Sequence, residues 1–386
     1  MRVEVVKNFK RWYLLLAPLW SIIFSRFTRR IEEQKTMIKN VSIQDTSDVA
    51  DVNWPSLMNT MMEDADRDED IYSAGQYWKS HAEDMKKFVN DFGISSFRHS
   101  NEKCIKAFAT GNDFLPTKSS NPTFWKLHAT LIKTPVVAKV IRKYDQQIHA
   151  GWKSARSQAY YKLRAMHALI AQISPSLLDL QDPCIGSPLT YEIEGVVFSE
   201  AYMEKLLDVA RLEQNVDFRK IKTIIEVGGS YGLLASIILT RYPDIRYIYI
   251  DIAPVAAFGE YYLKKAFPGQ VNGYLFTREH RDINVKVNKR RISILCSHQL
   301  KFCKGTFDLL INTASFQEMD VNQVKMYCEF AKEHCNSVYL NNTQKAKLTG
   351  LTEDHYETEL SPMKITKRWN NLLHPSYRPL LLTKDE

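Results

Sequence analysis

Residues 223–241, TIIEVGGSYGLLASIILTR, constrain this chain more than any other stretch. A short β-branched apolar run, Thr223–Val227, meets Gly228-Gly229-Ser230-Tyr231-Gly232 and then a helical apolar segment, Leu233–Arg241. A strand buried on both faces that feeds a helix through a glycine turn is half of a βαβ unit. The alternation continues downstream. Arg246–Asp251, Ile292–Cys296, Phe307–Asn312 and Ser337–Asn341 read as strands, and Pro254 to Phe267 and Val321–His334 read as helices. Such alternation predicts an α/β fold with a doubly wound parallel sheet, closed by antiparallel strands from the stretch after Met363.

Upstream the periodicity is helical. From about 71 to 180 apolar residues recur at three and four, as in His81–Phe92, Pro135–Gln147 and Trp152–Ile173, with turn signals at Gly93 and Gly111-Asn112. A Pro/Gly-rich break at 182–188 precedes a short alternating stretch, Leu189–Phe198, and a helix, Ser199–Leu212. These shifts divide the chain into three parts: a segment and acidic linker (1–70), a mostly helical N-terminal domain (71–210) and the α/β domain (211–386). The acidic run Glu63 to Asp70 reads as a solvated linker or helix face without chemistry.

The formal charge of +8 raises the question of nucleic acid, so its location matters. Residues 1–40 hold nine Lys/Arg against three Glu, a net of +6, which leaves the remainder close to balanced. No basic stripe interleaved with aromatics lies near the glycine loop, and nucleic acid is not expected as a partner. In the same segment Trp12 to Phe24 is apolar with Pro18 in its middle, too short for the roughly 20 residues of a spanning helix. Two readings of residues 1–30 stay open: peripheral contact with anionic headgroups, or packing against protein. The expected location is cytoplasmic, with the inner membrane face as the variant the first reading adds. Six cysteines include no C-x-x-C pair and read as reduced thiols.

The glycines follow G-G-x-x-G rather than the G-x-G-x-x-G of dinucleotide sites, and Glu226 stands two places before the first. A carboxylate there is awkward beside pyrophosphate and suited to a cation. S-adenosylmethionine carries an ammonium, a sulfonium and a carboxylate, so an acid beside free helix N–H groups complements it. Asp251, 19 residues after Gly232 at the end of the next strand, stands where an acid takes ribose hydroxyls. The candidate cofactor set is Glu226, Gly228, Gly229, Ser230, Tyr231, Gly232, Asp251 and Ile252, with His298 and Gln299 at the adenine edge and Asn312 beside them. His298 and Glu318 are the candidate general bases. The competing roles are an adenine hydrogen bond for His298 and capping of the helix near Asp320 for Glu318. Ser315, Gln317 and Glu318 are expected to face the acceptor, with His355 and His374 in late loops that close over it. No His/Asp/Glu cluster has metal-ligand spacing.

The stretch from Glu226 to Asp251 resembles motif I and the acidic ribose loop of class I S-adenosylmethionine-dependent methyltransferases, whose fold is Rossmann-like. More narrowly, Ile225–Gly232, Tyr249–Pro254, Ser297–Leu300 and Phe307–Met319 resemble the bacterial sugar O-methyltransferase family, as do Tyr77-Trp78, Phe97-Arg98 and Ile185–Pro188 upstream. The resemblance covers roughly 71–386. Ser230 departs from it, standing where many methyltransferases carry glycine. The resemblance implies methyl transfer from S-adenosylmethionine to a sugar hydroxyl in surface glycan or polysaccharide biosynthesis. The alternatives are a non-catalytic module of a glycan-assembly complex and a methyltransferase of another small molecule or of nucleic acid.

Overall fold

The structure, a computed structural model, describes residues 49, 51–68, 72, 76–100, 102–110, 160, 162–280, 283–284, 290–346, 350–371 and 374–384. The apolar run Trp12 to Phe24 and the segment Pro135–Gln147 lie outside these residues. Two compact units emerge: 1–40 with 112–165 and 190–200, and 41–111 with 166–189 and 201–386. They run across the divisions expected at 70 and 210.

In the first unit, β1 (Thr190–Ile193) and β2 (Val196–Ser199) form an antiparallel hairpin. The expected single alternating stretch is broken because Glu194 and Gly195 both take positive φ, 54° and 83°, which suits a two-residue hairpin turn. Lys162 Nζ donates to Glu200 Oε1 at 2.6 Å within the same unit.

The second unit is built on an eight-stranded sheet. Its strands are β3 (Thr223–Val227), β4 (Arg246–Asp251), β5 (Val271–Asn272), β7 (Ile292–Cys296), β9 (Phe307–Thr313), β10 (Cys335–Thr343), β11 (Lys364–Arg368) and β12 (Tyr377–Thr383). A small parallel pair, β6 (Ile283–Asn284) with β8 (Cys303–Lys304), stands apart from it. The sheet order is β11-β12-β10-β9-β3-β4-β7-β5. From β5 to β10 every pairing is parallel, while β12 runs antiparallel to both β10 and β11. The chain leaves β3 toward β4 and β7, then returns to place β9 on the other flank of β3. That reversal makes the carboxyl ends of β3 and β9 a topological switch point, where open α/β sheets bind ligands. The fold is the expected Rossmann-like doubly wound sheet with a helical N-terminal part.

Burial follows the apolar runs. Every residue of β3 and β7 is buried, as parallel strands covered on both faces require. Helix α3 (Glu200–Glu213) leads into β3; α4 (Leu233–Arg241), α5 (Ala253–Ala266), α6 (Tyr274–Glu279) and α7 (Val321–His334) lie between later strands, with α8 (Glu353–Leu360) before β11. The two upstream helices, α1 (Trp54–Asp66) and α2 (Gln76–Phe92), precede them in sequence, and α1 packs on α5 through an edge-to-face contact of Trp54 with Tyr261 at 5.4 Å. The acidic run is not the fully solvated stretch expected. Asp64 accepts from the Tyr274 hydroxyl at 2.8 Å and from the Arg278 guanidinium at 3.0 Å, because α1 runs on to Asp66 and its last turn meets α6. Among the described residues no helix is long and apolar enough to cross a membrane.

Candidate cofactor and acceptor site

Beyond the carboxyl ends of β3, β4 and β9 lies a cavity of about 280 Å³. Gly228 and Gly229 form one wall, and there is no room there for a side chain. A Cβ on Gly228 would stand 2.1 Å from Ser315 Oγ, and one on Gly229 2.4 Å from the Tyr249 ring. Gly228 also has φ +73°, in the region L side chains rarely adopt. Ser230 takes φ 58° without glycine's freedom. Its hydroxyl donates to the Phe108 carbonyl at 2.8 Å, which shows what the departure from glycine provides: an anchor for the turn at 106–110 beside the cavity. Tyr231 sits in an aromatic cluster with Phe97 and Tyr262. The Arg98 guanidinium lies over its ring at 5.2 Å. Arg98 is itself buried, 3.6 Å from Asp182, and its backbone N–H donates to the Gly186 carbonyl. Two pieces of the resemblance, Phe97-Arg98 and Ile185–Pro188, thereby meet behind the glycine loop.

Two buried acids define the cofactor end. Burial pushes the Glu226 carboxyl up to about 7, although the Tyr247 hydroxyl, donating at 3.0 Å, and the Lys205 ammonium pull it down. Burial likewise pushes Asp251 up to about 7. Its two oxygens accept from the backbone N–H groups of Ile252 and Ser230, each at 2.7 Å, which favour the carboxylate. Asp251 thus holds the loop as well as facing the cavity. A cleft with such acids and two side-chain-free positions fits a compact cationic nucleoside. The chemistry of S-adenosylmethionine meets that description.

The other end is aromatic. Tyr72, Trp78 and Phe108 come from far upstream, and Glu318 and Met319 from the loop after β9. Glu318 accepts from Trp78 Nε1 at 3.1 Å. Burial raises its pKa, and the Trp78 N–H opposes that rise. The helix-capping alternative falls to Asp320, whose side chain accepts from the Gln323 N–H in a reciprocal capping box.

Of the expected residues, Glu226, Gly228, Gly229, Ser230, Tyr231, Asp251, Ile252, Ser315 and Glu318 line the cavity. The others are engaged elsewhere. Gly232, at φ +87°, caps α4 and packs against Leu263. His298 is buried beside Tyr274, ring centroids 6.3 Å apart, and burial lowers its pKa; its neighbour Ser297 reaches the cavity instead. Gln299 accepts from the Cys296 N–H at 2.8 Å and donates to Thr277. Asn312 pins β9 to β3 by donating to the Val227 carbonyl at 3.0 Å, and takes a hydrogen bond from Asn342. Gln317 bridges Tyr377 and the Thr343 N–H. His355 caps α8, and His374 lies against Tyr377. Most of these side chains meet a nearby backbone group or ring, while the His298 Nδ1 is buried without a hydrogen-bond partner. Sequence reasoning missed Tyr72, Phe108, Glu204 and Lys205; Tyr77-Trp78 carried a signal only through the resemblance. Among the described residues no group of His, Cys, Asp and Glu is placed to hold a metal ion. All six cysteines are free thiols.

The family model for O-methyltransferase domains matches residues 190–276, under a quarter of the chain, and takes in the glycine loop and Asp251. With the sheet order, this match supports an S-adenosylmethionine-dependent methyltransferase of class I. No curated protein matches the chain. Solved structures that it resembles include PigF with S-adenosylhomocysteine, at 12% identity and TM-score 0.33, covering 48% of this chain and 59% of that one. Human N-acetylserotonin methyltransferase with S-adenosylmethionine is 14% identical, at TM-score 0.31, covering 48% and 56%. Magnesium protoporphyrin IX methyltransferase from Synechocystis PCC 6803 is 12% identical, at TM-score 0.35, covering 48% and 84%. Likenesses at this level say nothing about the acceptor.

Proposed function

We propose that this protein is an O-methyltransferase that moves a methyl group from S-adenosylmethionine to a sugar hydroxyl, in the assembly of a surface glycan. The observation that carries the reading is the pairing, in one cavity, of the glycine loop with a carboxylate set beside an indole. Bound S-adenosylmethionine supplies an electrophilic methyl group on a sulfonium. The remaining work belongs to the chain's own residues. Gly228 and Gly229 leave room for close approach, and Glu226 and Asp251 give the pocket the negative charge a cation needs. Glu318 accepts the proton of the acceptor hydroxyl as it becomes a nucleophile, and burial, by raising its pKa, makes it a stronger base than an exposed carboxylate. Trp78 holds Glu318 and offers an aromatic face, the surface on which the C–H side of a pyranose packs. Tyr72 and Phe108 shield the reacting atoms from water.

The test is a direct assay: the full chain with S-adenosylmethionine and a panel of nucleotide sugars and lipid-linked oligosaccharides, read as S-adenosylhomocysteine released. Turnover with a sugar and none with catechols or tRNA supports the reading. Turnover only with catechols would replace the sugar by a phenol. S-adenosylhomocysteine binding without turnover on any glycan extract would favour the non-catalytic module. Contact of residues 1–30 with membrane belongs to the same proposal and is read by vesicle co-sedimentation, with and without that segment.

A further inference from the structure

The charges lining the cavity are lopsided. Among the described lining residues four are acids, Glu204, Glu226, Asp251 and Glu318, and a single one, Lys205, is a cation. Lys205 stands on α3, upstream of every motif in the α/β domain. Its Nζ lies 2.9 Å from Asp208 Oδ2, one turn further along the helix, and its side chain is 31% exposed. Asp208 is not part of the lining, so it stands behind the ammonium and steadies it. Burial pulls the Lys205 pKa down and Asp208 outweighs that, keeping the group charged. Lys205 and Glu226 both line the cavity, and the Lys205 ammonium helps pull the Glu226 carboxyl down.

An acid and a base side by side are what an α-amino acid head group requires, because it carries an ammonium and a carboxylate on one carbon. A carboxylate entering a pocket of four acids without a cation would meet only repulsion. We propose that Lys205 binds the α-carboxylate of the methionine half of S-adenosylmethionine, with Asp208 as its positioning residue and Glu226 taking the neighbouring ammonium. The inference rests on the cofactor reading above and extends it to a residue outside the glycine-loop motif.

Calorimetry with two neutral thioethers tests it. S-adenosylhomocysteine has the amino-acid head group and 5′-methylthioadenosine lacks it. Lys205→Met is expected to weaken S-adenosylhomocysteine about tenfold or more, the loss of a charge-assisted contact, and to leave 5′-methylthioadenosine within about twofold. Retained 5′-methylthioadenosine binding also reports that the variant is folded. Lys205→Arg is expected to restore most of the difference. Equal weakening of both ligands, or no weakening of either, overturns the assignment while leaving the cofactor reading intact. A wild-type chain that binds neither ligand overturns both together.

Discussion

The two ends of the cavity are built in different ways. At the cofactor end, the acids and glycines come from the single stretch 226–252, where two parallel strands and one turn place them. At the acceptor end, Tyr72, Trp78 and Phe108 precede that stretch by more than a hundred residues, and Glu318 follows it by more than sixty. The first end is fixed by backbone geometry: Ser230 and Ile252 amides on Asp251, and glycines at positions with no room for Cβ. The second is fixed by side chains meeting across the fold, as where Trp78 Nε1 donates to Glu318. In the function proposed above, the cofactor's chemistry rests on the local motif and the choice of acceptor on the assembled wall.

Glu318→Gln breaks the comparison most sharply. The variant keeps the shape and loses the base, so kcat is expected to fall about 10²- to 10⁴-fold, while S-adenosylhomocysteine affinity stays within about twofold. An unchanged kcat would remove Glu318 from the proton transfer. Gly228→Ala strikes the other end. Its Cβ would fall 2.1 Å from Ser315 Oγ at a positive φ, so S-adenosylhomocysteine affinity is expected to drop about tenfold or more by calorimetry. Equal cofactor affinity in both variants would erase the distinction between the ends.

The pH dependence gives a smaller and signed effect. Glu226 and Asp251 both titrate near 7 in the free protein, raised by burial. A cationic cofactor favours their charged forms, so its binding releases protons, and affinity is expected to fall as pH drops below about 7. The decline approaches about tenfold per pH unit for each group that must ionise. Titration at pH 6.5 in two buffers of different ionisation enthalpy reads the protons, and none released would separate these acids from the cofactor. The stability of the free protein has the opposite sign. Raised folded pKa values contribute stability that is full below the unfolded values near 4 and is lost as pH rises through 7.

Trp78→Phe sharpens the comparison with the smallest effect. It keeps an aromatic face and removes the N–H that favours ionised Glu318, so the acidic limb of the kcat–pH profile should move up. A merely structural indole would lower activity without moving that limb.

The division between the ends also explains how far the sequence could be read. The five strands read between Thr223 and Asn341, the helices after the first, second and fourth of them, the glycine loop and Asp251 were legible because each follows from a local pattern: β-branched runs, a helical repeat, a turn of small residues. The short β5, β6, β8 and α6 carry too few residues to show one. His298, Gln299, Asn312, Gln317, His355 and His374 were equally plausible as ligands by type and position. Their side chains are instead drawn to amides, rings and strand-end carbonyls that only the folded backbone brings near. Asp64 shows the converse, a residue read as solvated that α1 sets against Arg278 and Tyr274.

The sequence by itself determined the α/β alternation, the place of the cofactor loop and the acid at the end of β4, because strand, turn and helix are short-range consequences of which residues are neighbours. Tertiary structure alone decided which aromatic side chains wall the other end, that Lys205 joins Glu226 in the cavity lining, and which polar groups are left to meet a ligand. A polar side chain serves a ligand only where no nearer backbone group has claimed it, and what is nearer is settled by packing.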